Sequence, residues 1–325
     1  MASGRNILEE YREDLDKINA ELGGFFDSRV ALAEDMGAHA LLGGGKRLRP
    51  LLFLLCCRLL SFWRDDLYRL STIFECIHAA SLLHDDVIDN SQMRRRRPSA
   101  NSLWGNHAAV LEGDYLYSKA MTLAVESGSL EFLGVLTKAT VDMSEGQILE
   151  SAHQFDWDLS AEMYMEIIRG KTAALISAAS SSAGIVAGGK QREIDSLAIF
   201  GLNVGMAFQL IDDLLDYVST EKVFGKPVGK DIKEGKITLP LIYTLQGLSD
   251  DPKKEIREAF KTDKRPEAAV NAVIELVREG DALAKIHREA QGYLDKASSA
   301  LGGFPPGRAR DQLMELNNYL IERDF

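Results

Sequence analysis

The amino-acid sequence predicts an all-α protein, with long helices packed around a central cavity. Apolar residues recur at the spacing of one helix face along almost the whole chain, and the alternation typical of strands is nearly absent. Hydrophobic residues make up 46% of the 325 residues, which is ample for a core. No Gly/Ser/Pro-rich linker divides the chain, so residues 1–325 are expected to form a single domain.

Glycine and proline residues mark the ends of the predicted helices. Gly43-Gly44-Gly45 ends one helix and Pro50 begins the next, while Gly188-Gly189 and residues 302–306 separate others. The helices are predicted over residues 5–22, 27–42, 50–62, 66–91, 106–126, 129–154, 160–184, 190–219, 236–248, 251–261, 265–298 and 307–323.

Composition excludes several classes of protein. A net charge of −11 and a pI near 5.2 argue against general binding of nucleic acids or anionic membranes. Cys56, Cys57 and Cys76 have neither metal-ligand spacing nor a pairing framework, which indicates buried, reduced thiols in a cytosolic protein. The N-terminus lacks the apolar core of a signal peptide, and residues 51–57, the longest apolar run, cannot span a bilayer. We therefore expect a soluble cytoplasmic protein with no transmembrane segment, and peripheral membrane contact stays open.

Two copies of one acidic motif stand out within apolar, helix-like stretches. Asp85-Asp86-Val87-Ile88-Asp89 is followed by Asp212-Asp213-Leu214-Leu215-Asp216, 127 residues later (212 minus 85). Positions i and i+4 share a helix face, so the first and last aspartates of each motif point the same way. Carboxylates on an apolar helix are costly unless a cation compensates them. All-oxygen ligands favour Mg²⁺, which commonly bridges carboxylates to substrate phosphates. A solvated acidic face is the alternative, and the apolar flanks argue against it.

Basic residues occur in segments beside or after these motifs. Lys46 and Arg49 adjoin the glycine turn, and residues 94–97 are four arginines that begin five residues after the first motif. Gly170-Lys171-Thr172 lies in a helix-like stretch, and residues 225–236 carry further Gly-Lys pairs. These segments are not P-loops, because the Walker spacing and preceding strand are absent. In an acidic chain they fit diphosphate binding better than a nucleic-acid patch.

In these motifs the chain resembles the trans-isoprenyl diphosphate synthases, from about residue 40 to residue 245. The resemblance rests on Gly-Gly-Lys-Arg-Leu-Arg-Pro (residues 44–50), Met93-Arg94-Arg95 after the first acidic motif, Gly113-Asp114-Tyr115, Lys171-Thr172, and Gln209 before the second acidic motif. Within the family the chain is most similar to bacterial synthases of the octaprenyl type. It departs from the pattern at Arg96, where the family often has glycine.

The resemblance implies the isoprenoid synthase fold, a homodimer and a prenyltransferase that uses Mg²⁺, with three ions per active site when substrate is bound. Asp85 and Asp89 would hold metal on the allylic diphosphate with Asp86 in support. Asp212 would hold another ion, with Asp213 and Asp216 acting directly or through water. The residues that match the isopentenyl diphosphate site are Lys46, Arg49, His78 and Arg95. Those that match the allylic diphosphate site are Arg94, Lys171, Thr172, Gln209, Lys226 and Lys236.

The implied reaction is sequential condensation of isopentenyl diphosphate onto an allylic primer, giving precursors of quinone side chains. Ala80 and Ser81 are small residues about one turn before Asp85, where they would leave the path of the growing chain open. A long product of about eight isoprene units is therefore expected by the resemblance. A shorter-chain synthase (geranylgeranyl or farnesyl), a terpene cyclase and a non-catalytic partner subunit remain alternatives. Retention of both acidic motifs, with Lys46 and Arg49, disfavours the last two.

Overall fold

The chain is almost entirely α-helical in a computed structural model that describes residues 7–218, 229–260 and 267–319. This confirms the predicted fold class. The helices are α1 Arg12–Phe25, α2 Ala31–Leu42, α3 Leu48–Leu59, α4 Leu67–Ile88, α5 Ala100–Trp104, α6 Asn106–Glu126, α7 Leu130–Ala152, α8 Ala161–Ile168, α9 Ala174–Val186, α10 Gln191–Val218, α11 Lys230–Glu234, α12 Leu239–Gly247, α13 Asp250–Ala259, α14 Glu267–Glu279, α15 Ala282–Ala300 and α16 Arg308–Tyr319. Two 3₁₀ turns span Ile7–Tyr11 and Leu301–Gly303, and a π-helical turn spans Arg169–Ala173.

The structure differs from the predicted helices in several details, and the short helices α5 and α11 were not predicted. The helix predicted over 265–298 is interrupted between α14 and α15 at Gly280-Asp281, a pair that suits a helix end and a helix start. The helix predicted over 160–184 contains the π-helical turn. Two short strands, β1 Met93–Arg94 and β2 Arg97–Pro98, pair antiparallel as a hairpin. Each strand has only two residues, which is too few for an alternating pattern to be recognised in the sequence.

The described chain clusters into two compact units, each discontinuous in sequence. The first comprises Met1–Lys138, Leu175–Gly201 and Ala300–Leu316; the second comprises Ala139–Ala174, Leu202–Ser299 and Asn317–Phe325. The single domain expected from the sequence remains a prediction.

In the first unit, α4 packs against α6, α3 and α1. Phe74 lies between Phe53 and Phe132, with ring centroids 5.6 Å and 6.2 Å away. Burying side chains of this size stabilises a fold by about 1.5–3 kcal/mol each. The three cysteines are free and buried, as predicted. The core therefore fixes α4, the helix that carries the first acidic motif.

In the second unit, α10 contributes a continuous set of buried apolar residues around the second acidic motif. Leu210 and Leu214 are fully buried in a cluster that also contains Val270, Val277 and Ile286. By length and composition α10 alone among the described helices passes the test for a membrane span, yet 61% of its most apolar stretch is buried in protein. Core helices pass the same test, so this finding is weak evidence for a span.

Candidate active site

The first acidic motif divides its three aspartates between two environments at the end of α4. Asp85 lies half-buried in the last turn, and Asp89 directly follows the helix with helical dihedrals (φ −82°, ψ −1°). The amide of Asp89 donates to the Asp85 carbonyl at 2.8 Å, so the i to i+4 relation between these two residues holds. Asp86 is buried, at 2% exposure, and faces elsewhere. The predicted placement, with Asp85 and Asp89 on one helix face and Asp86 turned aside, agrees with this arrangement, while the roles of the three residues with metal stay predictions.

Asp86 is held by Arg94 from the β1–β2 hairpin. The Arg94 Nε atom donates to both Asp86 carboxylate oxygens, at 2.8 and 2.9 Å, and its Nη2 atom lies 2.6 Å from Oδ1. Arg94 was predicted to bind the allylic diphosphate. In the structure it ties the hairpin to the acidic helix, so its direct role with substrate remains a prediction.

The hairpin turn places two arginines in left-handed backbone conformations. Arg95 has φ +49° and Arg96 φ +64°, the pattern of a two-residue type I′ turn, which prefers glycine at its second position. This explains physically why glycine is common at the position of Arg96. We expect Arg96→Gly to raise the free energy of unfolding by up to about 1 kcal/mol, because a side chain in this conformation costs about 1–2 kcal/mol. Chemical denaturation measures it, and a clearly less stable variant would contradict this account of the turn.

Three of the four residues predicted to bind isopentenyl diphosphate lie in one cationic cluster. Arg49 and Arg95 both act electrostatically on His78, and Arg95 Nη1 donates to the Gly44 carbonyl in the glycine turn. Gly45 has φ +143°, a backbone conformation that favours glycine, and a Cβ atom there would come within 2.9 Å of Arg95 Nη1. The fourth residue, Lys46, is exposed next to the cluster in sequence.

Burial and crowding of positive charge shape the protonation of this cluster. Burial, reinforced by Arg49, holds the pKa of His78 well below its usual 6.5, so its imidazole is neutral at pH 7. Burial lowers the pKa of Arg49 to about 10, and the guanidinium stays charged. The Nε atom of Arg49 is buried without a hydrogen-bond partner among the described residues. A buried, charged donor without an acceptor is what a diphosphate oxygen would satisfy.

A buried ion pair beneath this cluster was missed by sequence reasoning. Arg47 Nη1 donates to Glu75 Oε1 at 2.8 Å, and both side chains are at most 5% exposed. Arg47 also donates to Asn19 Oδ1 at 2.9 Å and to the Leu41 carbonyl. Glu75 was detectable as a lone carboxylate in the apolar run 73–77, although the sequence alone could not supply its partner.

The second acidic motif also separates its aspartates, at the end of α10. Asp212 lies within α10 and is half-buried. Asp213 is buried and accepts hydrogen bonds from the Tyr164 hydroxyl and from Gln209 Nε2 at 2.6 Å. Burial, with the charge of Asp231, raises its pKa well above the usual range. Tyr164 carried no sequence signal for this role.

Asp216, the third member of that motif, holds the start of a helix. Its two carboxylate oxygens accept the backbone amides of Lys230 and Asp231 at 3.3 and 3.2 Å, at the N-terminus of α11. A carboxylate there satisfies amides that the helix leaves unpaired. The predicted metal role of Asp216 stays a prediction.

The π-helical turn brings two further predicted residues to the same unit. Lys171 Nζ lies 2.5 Å from Glu150 Oε2 on α7, and Thr172 Oγ1 donates to Gln209 Oε1 at 2.7 Å. Since Gln209 in turn donates to Asp213, the turn is linked by side chains to the second acidic motif. Thr172 and Gln209 thus belong to one network.

The remaining predicted basic residues follow the motif. Lys236 Nζ lies 2.8 Å from Glu234 Oε2, and Lys230 Nζ lies 2.9 Å from Glu234 Oε1. A diphosphate would compete with Glu234 for Lys236, as it would with Glu150 for Lys171. Lys226 lies outside the described residues.

Each acidic motif, taken by itself, fits a hard cation that the protein ligates incompletely. Asp85, Asp89 and Asp212 are half-buried carboxylates, while Asp213 and Asp86 are engaged by other side chains. Within the described ranges no three His, Cys, Asp or Glu side chains converge into a preformed metal centre. Mg²⁺ commonly takes only one or two carboxylates and completes its shell with waters and phosphate oxygens. These residues therefore fit Mg²⁺ that arrives with a diphosphate.

The predicted chain-length residues lie on α4 one turn before the acidic motif. Ser81 shares the face of Asp85 and is half-buried, and its hydroxyl donates to the His78 carbonyl at 2.9 Å. Ala80 is 2% exposed and is turned further from that face. A larger side chain at position 81 would therefore extend from the face of α4 that carries Asp85.

A family model for polyprenyl synthetases matches residues 30–277 of the chain. The chain is 36% identical to octaprenyl diphosphate synthase from Haemophilus influenzae, over 96% of this chain and 94% of that protein. It is 35% identical to heptaprenyl diphosphate synthase component 2 from Geobacillus stearothermophilus, over 96% and 97% of the two chains. A solved polyprenyl synthase from Caulobacter crescentus, complexed with calcium and isoprenyl diphosphate, superposes with a TM-score of 0.91 at 37% identity, covering 98% and 97%.

Proposed function

This chain belongs to the polyprenyl synthetase family and is a trans-prenyl diphosphate synthase, and from that premise we propose that it makes a long all-trans product of about eight isoprene units. The product would be a precursor of quinone side chains. The use of a second diphosphate is supported by the cationic cluster of Arg49 and Arg95 around the neutral His78, on the same unit as Asp85 and Asp89. Such a cluster suits the diphosphate of the second substrate, which a cyclase does not need. The length of the product is supported by the small side chains of Ala80 and Ser81, about one turn before Asp85.

Asp85 and Asp89 would hold Mg²⁺ at the first motif, and Asp212 and Asp216 at the second, with about three ions per site when substrate is bound. The bound metal would neutralise charge that develops on the departing diphosphate. The calcium and isoprenyl diphosphate bound by the Caulobacter protein support this assignment by analogy.

The basic residues of the chain would bind and orient the two diphosphates. Lys46, Arg49, His78 and Arg95 would hold isopentenyl diphosphate. The allylic diphosphate would be held by Arg94, Lys171, Thr172, Gln209, Lys226 and Lys236. Preorganised cations stabilise the leaving group as the allylic C–O bond breaks and its electron pair leaves with the diphosphate.

The carbon chemistry needs orientation and exclusion of water more than a strong base. The double bond of isopentenyl diphosphate attacks the allylic cation and forms the new C–C bond. A proton is then lost to the released diphosphate, which leaves the extended allylic diphosphate. His78 is neutral at pH 7, so it would donate or accept one hydrogen bond without adding positive charge beside the cation.

One assay tests the proposal. The purified protein is incubated with isopentenyl diphosphate, Mg²⁺ and each of several allylic primers, and product chain lengths are measured. Products of about eight isoprene units are expected. A product that stops at three or four units would favour the shorter-chain alternative, and no elongation with any primer would favour a cyclase or a partner subunit.

The small residues before Asp85 give a second test. Ser81→Phe is expected to shorten the main product, because a large ring one turn before the metal ligands would obstruct the growing tail. Ala80→Phe should also shorten it, with a larger loss of stability because Ala80 is almost fully buried. Product chain lengths and thermal melting measure both effects. An unchanged product distribution in both variants would contradict this wall assignment.

We also propose that the protein is a cytoplasmic homodimer that meets a membrane peripherally, for product release. Large apolar side chains are exposed on the first unit: Leu111 is 67%, Val125 61% and Leu130 85% exposed. Leu111 and Val125 fall four turns apart on one face of α6, where a second copy could cover them. The name of the Geobacillus relative, component 2, supports testing a heteromeric alternative.

Leu111→Asp combined with Val125→Asp is expected to convert a dimer to a monomer, since each copy would bury two charges at the interface. Light scattering coupled to size exclusion measures the mass, and circular dichroism checks the fold. A wild-type monomer, or a double variant that still forms dimers, would contradict this surface assignment.

A further inference from the structure

Two helix glycines press directly against the π-helical turn that carries Lys171 and Thr172. A Cβ atom at Gly146 on α7 would lie 2.4 Å from the Lys171 amide nitrogen and 2.9 Å from the Ile167 carbonyl. One at Gly205 on α10 would lie 2.5 Å from the Ala173 Cα atom. Real Cβ atoms do not approach backbone this closely, so the turn occupies space that only glycine leaves open.

Each glycine is followed, one turn later, by the side chain that binds the π-helical turn. Glu150 stands four residues after Gly146 and pairs with Lys171 at 2.5 Å. Gln209 stands four residues after Gly205 and accepts from Thr172 at 2.7 Å. Positions i and i+4 share a helix face. Each of the two helices therefore contacts the turn through a glycine backbone and, one turn later, through a polar side chain.

The turn between Arg169 and Ala173 has the wider hydrogen-bonding pattern of a π-helix. The Ala174 amide donates to the Arg169 carbonyl, the i to i+5 bond of a π-helix. Such turns are rare and occur often at functional sites. Glycine is among the least favourable residues inside a helix, so its presence at both contacts requires a reason other than helix stability.

We propose that Gly146 and Gly205 are positioning residues, here called the glycine clamp, which fix the π-helical turn so that Lys171 and Thr172 meet the allylic diphosphate. This rests on the proposed function for the identity of the ligand. The clamp itself rests on contacts within one compact unit. Gly170 completes it, since a Cβ atom there would lie 2.6 Å from the Asp142 carbonyl.

Gly146→Ala and Gly205→Ala test the clamp, with Gly134→Ala as the matched control. Gly134 lies on α7 as well, and a Cβ atom there meets nothing within 4 Å. Each clamp variant should lower kcat/KM for the allylic primer by about 10²-fold, the effect of misplacing a binding group by about 1 Å. The KM for isopentenyl diphosphate, bound by the first unit, and the activity of Gly134→Ala should stay near wild type.

A double-variant cycle separates positioning from a general loss of structure. Lys171→Ala should cost far less kcat/KM in the Gly146→Ala background than in wild type, because the ammonium group is already displaced. Additive losses, or equal losses for both substrates, would overturn the clamp.

Hydrogen exchange gives a readout that needs no activity. The amides of residues 170–174 should exchange faster in Gly146→Ala and Gly205→Ala than in wild type. In Gly134→Ala their exchange rates should equal those of wild type. Unchanged exchange in both clamp variants would overturn the inference, whatever the assays show. If the wild-type protein makes no product while both clamp variants exchange faster than wild type, the proposed function is contradicted and the clamp is supported.

Discussion

Asp85→Ala is expected to lower kcat/KM for the allylic substrate by about 10²–10³-fold, the range seen when one electrostatic contact to developing charge is removed. Asp85 is half-buried and shares a helix face with Asp89, so its loss would leave one carboxylate to bind the metal there. Raising the Mg²⁺ concentration should recover part of the activity, because the remaining ligands bind the ion more weakly. Steady-state kinetics across a Mg²⁺ series measure the effect.

Asp86→Ala is the matched control, since it removes the same group from the adjacent position. Asp86 is buried against Arg94, so its removal leaves a largely buried charge without its partner. We expect a loss of about 1–3 kcal/mol in the free energy of unfolding, which exceeds the loss in Asp85→Ala, and no recovery with Mg²⁺. Near-normal turnover of Asp85→Ala, or of the corresponding Asp212→Ala, would remove the basis for the metal assignment.

Asp85 and Asp86 illustrate what helical periodicity can predict from the sequence and what it cannot. An i to i+4 spacing places two aspartates on one face before any coordinates are known, because helix geometry is fixed. The same rule predicts that Asp86 turns aside. It does not identify Arg94 as its partner, because that contact depends on a hairpin whose strands have two residues each.

Contacts distant in sequence account for most of what sequence reasoning could not supply. Tyr164 donates to Asp213 across 49 residues, and Arg47 reaches Glu75 across 28. Pattern rules describe neighbours on one element, whereas these bonds depend on how separate helices pack. The π-helical turn is a similar case, since packing of glycines from two other helices accommodates it.

The break at Gly280-Asp281 is a different kind of miss. The local signals were present, because glycine commonly ends a helix and aspartate commonly begins one. The Asp281 carbonyl accepts the amide of Lys285, the first helical bond of the next segment. Apolar periodicity continues on both sides of the break, so a prediction weighted toward periodicity joins the two helices.

Glu75→Gln is expected to lower the free energy of unfolding by about 3–5 kcal/mol, the usual cost of removing one partner from a buried ion pair. Arg47 would keep its charge at 5% exposure and lose its carboxylate partner. Its bonds to Asn19 and the Leu41 carbonyl are formed with neutral groups, so they cannot offset the charge. Urea denaturation, monitored by circular dichroism, measures the loss.

Glu126→Gln provides the control on the surface of the same unit. Glu126 lies 2.9 Å from Arg69, a distance close to that of the buried pair, but the side chains of this pair are more than half exposed. Solvent screens such pairs, and a change of about 0–1 kcal/mol is expected. Equal effects in the two variants would show that burial does not govern the Arg47–Glu75 pair.

The buried pair should also affect substrate binding, because Arg47 lies between Lys46 and Arg49 in the chain. Glu75 raises the pKa of Arg49 through its negative charge, and its loss would add to repulsion among the arginines. We therefore expect Glu75→Gln to raise the KM for isopentenyl diphosphate more than the KM for the allylic primer, measured at a temperature where the variant is folded. Equal changes in both KM values would limit Glu75 to a role in stability.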